Sequence, residues 1–525
     1  MGHFDYIVIG AGHNGLCAGA TLAEAGRSVC VVERLPITGG LSASHPYVGD
    51  APEHLLSLGA MDDMFMAQTS LARDMRLADH GYRTVPLAHP YGWMNEDGDT
   101  LLLWHDFERT LADIRYFSPA DARTYAALRG PMDWIMDLVD ALVPQHPAAW
   151  GKTDFLKYLV RHRPNRATLR LIQQMLSTNV FEMISETFES DAMRGLWAYW
   201  SSMVGPADAQ SAGAYLLGFA GVHRHGGVLR PQGGMTNLMT AFQGVLEQHG
   251  GEVRLGVGVE QVVVEGGRAT GVLLEDGSRL NAARGVLSGA APQVTLGKLV
   301  PQQFLSREDQ NKVALIPCNS VNAAAFKIDV ATAGRAGYPA AEAARAKRDG
   351  EDIRTTTFMT GTLEDHIEQM HAMKSGLNVT VPPVYMAILS APDRSIASDE
   401  GDVVYLHSNV PAHPNDGWEA NKAAYTEQIW SSVGRFMGGL DTEIGRMVNC
   451  PQDFEDRFAA PRGAYFHVDM LPSRLGMNRP ARGLGGYETP IRALYQSGAG
   501  THPSGGVTGW NGRLAAQHAM KLEAA

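Results

Sequence analysis

Two strand–loop–helix units at opposite ends of this 525-residue chain, with hairpin signals between them, predict an α/β fold built from discontinuous segments. The first unit is the more specific. Tyr6-Ile7-Val8-Ile9 is an apolar strand that runs into Gly10-Ala11-Gly12-His13-Asn14-Gly15. A helix of small residues follows, then the strand Val29-Cys30-Val31-Val32, which ends in Glu33. Strand, Gly-x-Gly-x-x-Gly, helix and acid in that order form the dinucleotide-binding fingerprint of a Rossmann-like domain. Gly10 permits the tight turn, Gly12 lets the backbone approach a pyrophosphate, and Gly15 lets the helix settle on the strand. The helix N-terminus offers free N–H groups and the positive end of its dipole to phosphates. Glu33 can accept hydrogen bonds from a ribose diol.

Beyond the second strand stands Gly39-Gly40, where close backbone approach from another side suits a long dinucleotide. The second unit lies near the C-terminus. Leu494-Tyr495-Gln496 reads as a strand, the stretch from Gly498 to Gly509 as a glycine-rich loop, and Thr508 to Met520 as a helix. Gly-x-Gly-x-x-Gly is absent from it, so its expected client is a different electron-rich group.

The intervening chain is read in order. Residues 76 to about 222 carry helical spacing, as in Leu111 to Phe117 and Tyr125 to Leu128. Gly226 to Gly234 is a turn that leads into a helix from Met235 to His249. Val253 to Leu280 alternates strands with hairpin signals at Gly266-Gly267 and Asp276-Gly277. Val286 to Ala290 is a strand returning to the nucleotide sheet, and Asn322 to Val330 and Val403 to Val410 belong to a second sheet. Ala340 to Gly350, rich in Ala and charge, is expected to be a surface insertion. Segments 1–75, 223–300 and 455–525 then make the nucleotide-binding domain. Segments 76–222 and 301–454 make an α+β substrate domain, a mixed sheet with a helical cap. The function is expected between the lobes.

Composition narrows the class. Hydrophobic residues are 45% of the chain and mean hydropathy is −0.15, as in globular proteins. A net charge of −12 argues against nucleic-acid partners, which need a positive surface. The four cysteines, Cys17, Cys30, Cys318 and Cys450, are scattered without a Cys-x-x-Cys, so neither a metal site nor a disulfide scaffold is expected. Cys17 and Cys30 read as small buried thiols. The nucleotide strand begins almost at once, with no leader before it and no apolar run of membrane-spanning length. A cytoplasmic location follows as the expectation.

Gly10 to Leu16, Glu33-Arg34 with Gly39-Gly40, Arg230-Pro-Gln-Gly-Gly-Met235, and Gly498-Ala-Gly-Thr-His-Pro503 with Gly506-Val-Thr-Gly509 resemble the phytoene-desaturase-like FAD-dependent oxidoreductases. These motifs lie near the start, middle and end, so the resemblance spans the chain. It implies a non-covalent FAD along the first domain. Gly10, Gly12, His13, Asn14 and Gly15 would hold the pyrophosphate, and Glu33 and Arg34 the adenosine ribose and adenine edge. Gly39, Gly40 and Leu41 would flank the ribityl chain and flavin, and Val259 would bracket the adenine. Gly500, Val507 and Thr508 would lie against the flavin pyrimidine. Two departures stand out: Trp510-Asn511 follows Gly509 where the family carries small residues or Pro, and Ser504 replaces a common Gly.

On the substrate side, His225 is a candidate base or anchor, Trp510 and Asn511 are candidates to shape the cleft, and Trp200, with Trp197 and Tyr199, could line a greasy cavity. Lys157, Arg161, Arg163, Arg166 and Arg170 interleave with apolar residues, which makes 155–170 a candidate for peripheral membrane contact. The expected reaction is hydride transfer from a C–H of a small apolar substrate to flavin N5, forming a double bond, with a quinone or O2 as electron acceptor. The alternatives are a flavin amine or alcohol oxidase using O2, and a non-catalytic FAD-bound partner protein. Oligomeric state is left open.

Overall fold

A computed structural model describes residues 2–204, 208 and 221–523. Its first sheet is the predicted nucleotide sheet. Gly2–Ile9 lies at the centre, parallel to Val29–Val32 on one side and to Arg279–Ser288 on the other. Glu252–Arg254 continues the sheet beyond Val29–Val32, and Leu494–Gln496 adds in parallel to the C-terminal half of Arg279–Ser288. Val259–Glu265 and Arg268–Leu274 extend it as an antiparallel arm, turning at Gly266-Gly267. The central strands are apolar because helices cover both faces of a parallel sheet. His13–Glu24 and Trp510–Glu523 pack on each other, and Met235–Gln248 packs beside them.

The second sheet has seven strands, in the order Glu443–Asn449, Ala323–Thr332, Asp402–Pro411, Tyr385–Ile388, Thr357–Met359, Tyr91–Met94 and Thr100–Leu103. All its pairs are antiparallel except Thr357–Met359 with Tyr91–Met94. One strand face packs on the helices Gly417–Val433 and Pro339–Arg348 through Phe326, Ile328 and Val330. The other face looks towards the first domain and the helix Asp191–Val204.

Two sequence expectations need correction. The stretch 76–222, expected to be mostly helical, also holds strands, because Tyr91–Met94 and Thr100–Leu103 form a hairpin that completes the second sheet. Six helices do follow, from Phe107–Phe117 to Asp191–Val204; residues 205–207 and 209–220 lie outside the described residues. Nor is 340–350 a surface insertion. It is the helix Pro339–Arg348, and its Arg345 is only 1% exposed. That guanidinium holds Asp113 at 3.1 and 3.3 Å, and Asp113 also accepts from Leu102 N and Trp104 Nε1. The helix therefore clamps the hairpin to Phe107–Phe117.

Arg345→Leu should leave the Asp113 carboxylate buried without its main counter-charge and lower stability by about 3 kcal/mol. Urea unfolding checks this. A loss under about 1 kcal/mol would mean that Arg348, the other Asp113 partner, suffices.

Candidate active site

A cavity of about 540 Å³ runs along the C-terminal ends of the parallel strands. Gly10, Gly12, His13, Asn14, Gly15, Glu33, Arg34, Gly39, Gly40, Leu41 and Val259 all line it. A Cβ on Gly15 would lie 1.9 Å from the Gly10 carbonyl oxygen, so turn and helix touch backbone to backbone. Gly12 is different: the nearest protein atom to a Cβ there would be the Gly39 oxygen, 4.0 Å away. That glycine keeps a space no protein atom fills. It also begins the helix His13–Glu24, which has no side-chain cap and no acid in its first turn. The first N–H groups are thus left for an anion. Asn14 Oδ1 is buried with no hydrogen-bond partner among the described residues. Open glycine space, an uncapped helix end and an orphaned buried acceptor fit a dinucleotide.

Glu33 does more than face a ribose. Its Oε2 accepts from Ala11 N at 2.8 Å and its Oε1 from Leu35 N at 2.9 Å, so it also shapes the glycine turn. His13 is half-buried at the cavity wall, and its desolvation pushes the imidazole down to about 4 and keeps it neutral. Its Nε2 lies 3.1 Å from the Gly506 carbonyl oxygen, joining the C-terminal loop to the first helix.

Residues 15–518 match the model of the flavin containing amine oxidoreductases. The chain belongs to this family. A pyridine nucleotide-disulfide oxidoreductase domain-containing protein 2 from Rattus norvegicus is 27% identical, over 98% of this chain and 92% of its own length. A limonene dehydrogenase subunit from Castellaniella defragrans is 24% identical, over 98% and 94%. A lycopene-forming phytoene desaturase from Pantoea ananas is 25% identical, over 98% of each. Among solved structures, an oxidoreductase from Methanosarcina mazei shares the fold with a TM-score of 0.61 at 18% identity, covering 98% of this chain and 99% of that one. The chain is an FAD-dependent oxidoreductase of the phytoene-desaturase-like kind.

In this flavoenzyme the C-terminal candidates sit one layer back. Ala499 lines the cavity, whereas Gly500, Val507 and Thr508 do not. Gly500 abuts the Pro292 ring, Val507 is buried in the first domain's core, and Thr508 Oγ1 donates to Asn511 Oδ1 at 3.0 Å.

The substrate-side candidates are corrected. His225 takes φ +48 and turns outward, with its Nε2 3.2 Å from Asp140 and its side chain 46% exposed. Its neighbour His223 is the buried one, bonded to the Tyr125 hydroxyl at 2.9 Å. Trp510 packs into the first domain's core with Leu71, Phe242 and Leu514 and does not line the dinucleotide cavity. Gly512 causes this, because its missing Cβ lets the last helix close on the Asn14 backbone. Asn511 is a loop organiser: its Nδ2 faces the carbonyls of Gly498, Thr501 and Ser504. Trp200 is core of the cap, edge-on to Tyr91 at 4.6 Å.

The polar heart of the second lobe was not singled out in the sequence. Lys327 and Asp329, both fully buried, pair at 2.8 Å on the strand face that looks towards the first domain. The Lys327 ammonium also lies over the Tyr405 ring. Tyr385 and Tyr199 continue this layer, and the Tyr199 hydroxyl bonds to His407. Burial pushes the ammonium down and the carboxyl up, while their mutual attraction opposes both shifts. The signal was present as Phe-Lys-Ile-Asp-Val, two opposite charges two residues apart on one face of an apolar strand.

Two outcomes are expected. Gly12→Val should fold normally yet purify nearly colourless, because its side chain meets cofactor space and no protein; full flavin absorbance in that variant would contradict the fit. Lys327→Met should cost about 3–5 kcal/mol in urea unfolding, and adding Asp329→Leu should restore most of it. An additive double variant would show that the two charges are not coupled.

Proposed function

We propose that this enzyme takes a hydride from a C–H bond of a mostly apolar small molecule, with a proton lost from the neighbouring atom, leaving a double bond. Bound FAD supplies the hydride acceptor. The observation that carries this reading is Tyr465, which lines both the dinucleotide cavity and a smaller one walled by Met203, Val321, Ala323, Ala325 and Phe466. Cofactor space thus shares a wall with a small space of about 40 Å³ whose apolar side is closed by polar residues, among them Ser202, Asn319 and Asp469. Hydride transfer needs the donor carbon held close while water is excluded, and such a wall supplies both. Relatives named for limonene dehydrogenation and phytoene desaturation support a C–H donor.

In this reading the loop from Gly10 to Gly15 and the helix end bind the pyrophosphate. Glu33 and Arg34 hold the adenosine ribose and adenine edge, and Val259 brackets the adenine. Gly39, Gly40 and Leu41 flank the flavin, with Gly500, Val507 and Thr508 behind Ala499 setting the loop at its pyrimidine side. No side chain is assigned the proton. A flavin amine oxidase is the second reading, favoured by the buried Lys327 beside the Tyr405 and Tyr385 rings.

Anaerobic titration separates the two. Isoprenoids or alicyclic hydrocarbons should bleach the 450 nm-region flavin band, and neutral amines should leave it intact; bleaching by amines alone would overturn the first reading. Reoxidation with a soluble quinone against O2 then identifies the acceptor.

A peripheral membrane contact through 155–170 belongs to the same proposal. Lys152–Arg161 and Arg166–Ser177 leave Phe155, Leu156, Val160, Leu169 and Leu176 exposed beside the basic side chains. Each basic residue near an anionic surface adds about 1 kcal/mol. Changing Lys157, Arg161 and Arg166 to Glu should abolish co-sedimentation with anionic liposomes and spare FAD content. No sedimentation of the unaltered protein at low salt would dispose of the contact.

A further inference from the structure

Among the described residues three arginines are buried: Arg230, Arg345 and Arg479. Two of them have acceptors, although Arg345 Nε is left without one among the described residues. Arg345 holds Asp113 and Asp349, and Arg479 donates to the carbonyls of Phe466, Val468, Asp469, Ala499 and Thr501. Arg230 stands apart. It is 3% exposed, and its Nε, Nη1 and Nη2 have no hydrogen-bond partner among the described residues. A buried guanidinium without acceptors is costly, so an arginine kept in this state points to an acceptor that arrives from outside the chain.

Arg230 lies on the short strand Leu229–Pro231, which pairs with Thr84–Pro86. Its electrostatic neighbours are Asp62, Tyr385, Tyr91 and Tyr338. Asp62 attracts the guanidinium but makes no contact ion pair with it among the described residues, and its carboxylate accepts from the Tyr91 hydroxyl at 2.9 Å. Asp62 is also only half-buried, so the wall beside the guanidinium is accessible from that side. Tyr91 and Tyr385 belong to the aromatic layer that includes Trp200, Tyr199 and Tyr405, on the sheet face turned towards the first domain. Burial pushes the guanidinium down from its ordinary range, and the attraction of Asp62 opposes that shift without cancelling it.

We propose that Arg230 is an anion subsite for the substrate, taking a carboxylate carried by an otherwise apolar molecule. This rests on the reading of an apolar C–H donor and deepens it: the substrate class becomes an amphipathic carboxylic acid. The planar guanidinium presents a fork of donors that matches a carboxylate two bonds at a time, and the surrounding tyrosine rings accommodate the hydrocarbon. The acid enters on the Asp62 side, past the neighbouring Tyr91 and Tyr385.

The test is calorimetric titration of the holoenzyme with cyclohexanecarboxylate and with cyclohexanecarboxamide as its neutral match. The acid should bind the unaltered protein about 10-fold or more tightly than the amide, as expected for a charge-assisted pair. In Arg230→Met that ratio should fall to near one. Asp62→Asn, which removes a neighbouring like charge, should raise affinity for the acid; it also serves if Arg230→Met does not fold. An unchanged ratio in Arg230→Met, or weaker acid binding in Asp62→Asn, overturns the subsite. Bleaching of the flavin by hydrocarbons with no acid binding would overturn the subsite and leave the apolar C–H reading standing. Arg230-dependent acid binding with bleaching by amines alone would do the reverse.

Discussion

Backbone-to-backbone approach around the first helix is the constraint on which the cofactor site depends. Three contacts leave no room for a side chain. A Cβ on Gly15 would strike the Gly10 oxygen at 1.9 Å and one on Gly512 the Asn14 oxygen at 1.9 Å, while one on Gly19 would meet the Val31 side chain at 2.8 Å. The glycine turn, the last helix and the second strand therefore close on His13–Glu24 from three directions, and Asn14 to Ala23 are buried. A helix gripped in this way cannot tilt without opening the core, because protein interiors are close-packed. Its uncapped N-terminus is held in one place before any phosphate arrives, and that preorganisation favours binding.

The second lobe solves a different problem. It must stay rigid around a buried aromatic layer, and it uses buried charge for the rigidity. Asp402, fully buried, is held by Arg354, Arg394 and Arg335 at the start of the interior strand Asp402–Pro411. Asp113 ties the hairpin to the cap, and Lys327–Asp329 sits in the middle of the inner face. Pairs of this kind add little net stability compared with apolar residues of equal volume. Breaking one is costly, however, so each fixes a single arrangement of the strands it joins.

The two domains differed in legibility for a physical reason. The glycine loop was readable because each glycine answers a local demand within about 20 residues of chain. The hairpin turns at Gly266-Gly267 and Asp276-Gly277 were readable for the same reason. The strand Tyr91–Met94 was missed because its other neighbour, Thr357–Met359, is distant in sequence, and a four-residue apolar run fits helix or strand equally well. His223 and His225 could not be told apart without the positive φ that sends one outward and leaves the other against Tyr125. Trp510 was misplaced because its position is set by Gly512 meeting Asn14, a contact between opposite ends of the chain.

That last contact belongs to a larger pattern. Glu523 receives Arg27 and Arg284 at 2.8 and 2.7 Å and also bonds the Tyr6 hydroxyl, which fastens the end of the last helix to the first sheet. His13 meets the Gly506 carbonyl, and Asn511 gathers the loop between them. The wall of the cofactor cavity is therefore completed by residues almost 500 positions from the glycine turn. Contacts of such sequence separation form late, since the loop-closure entropy must be met before they contribute. The glycine turn and first helix can assemble locally, but the cavity closes only when the C-terminal segment docks. Cofactor binding then stabilises the docked state by mass action, which couples the last step of folding to the arrival of FAD.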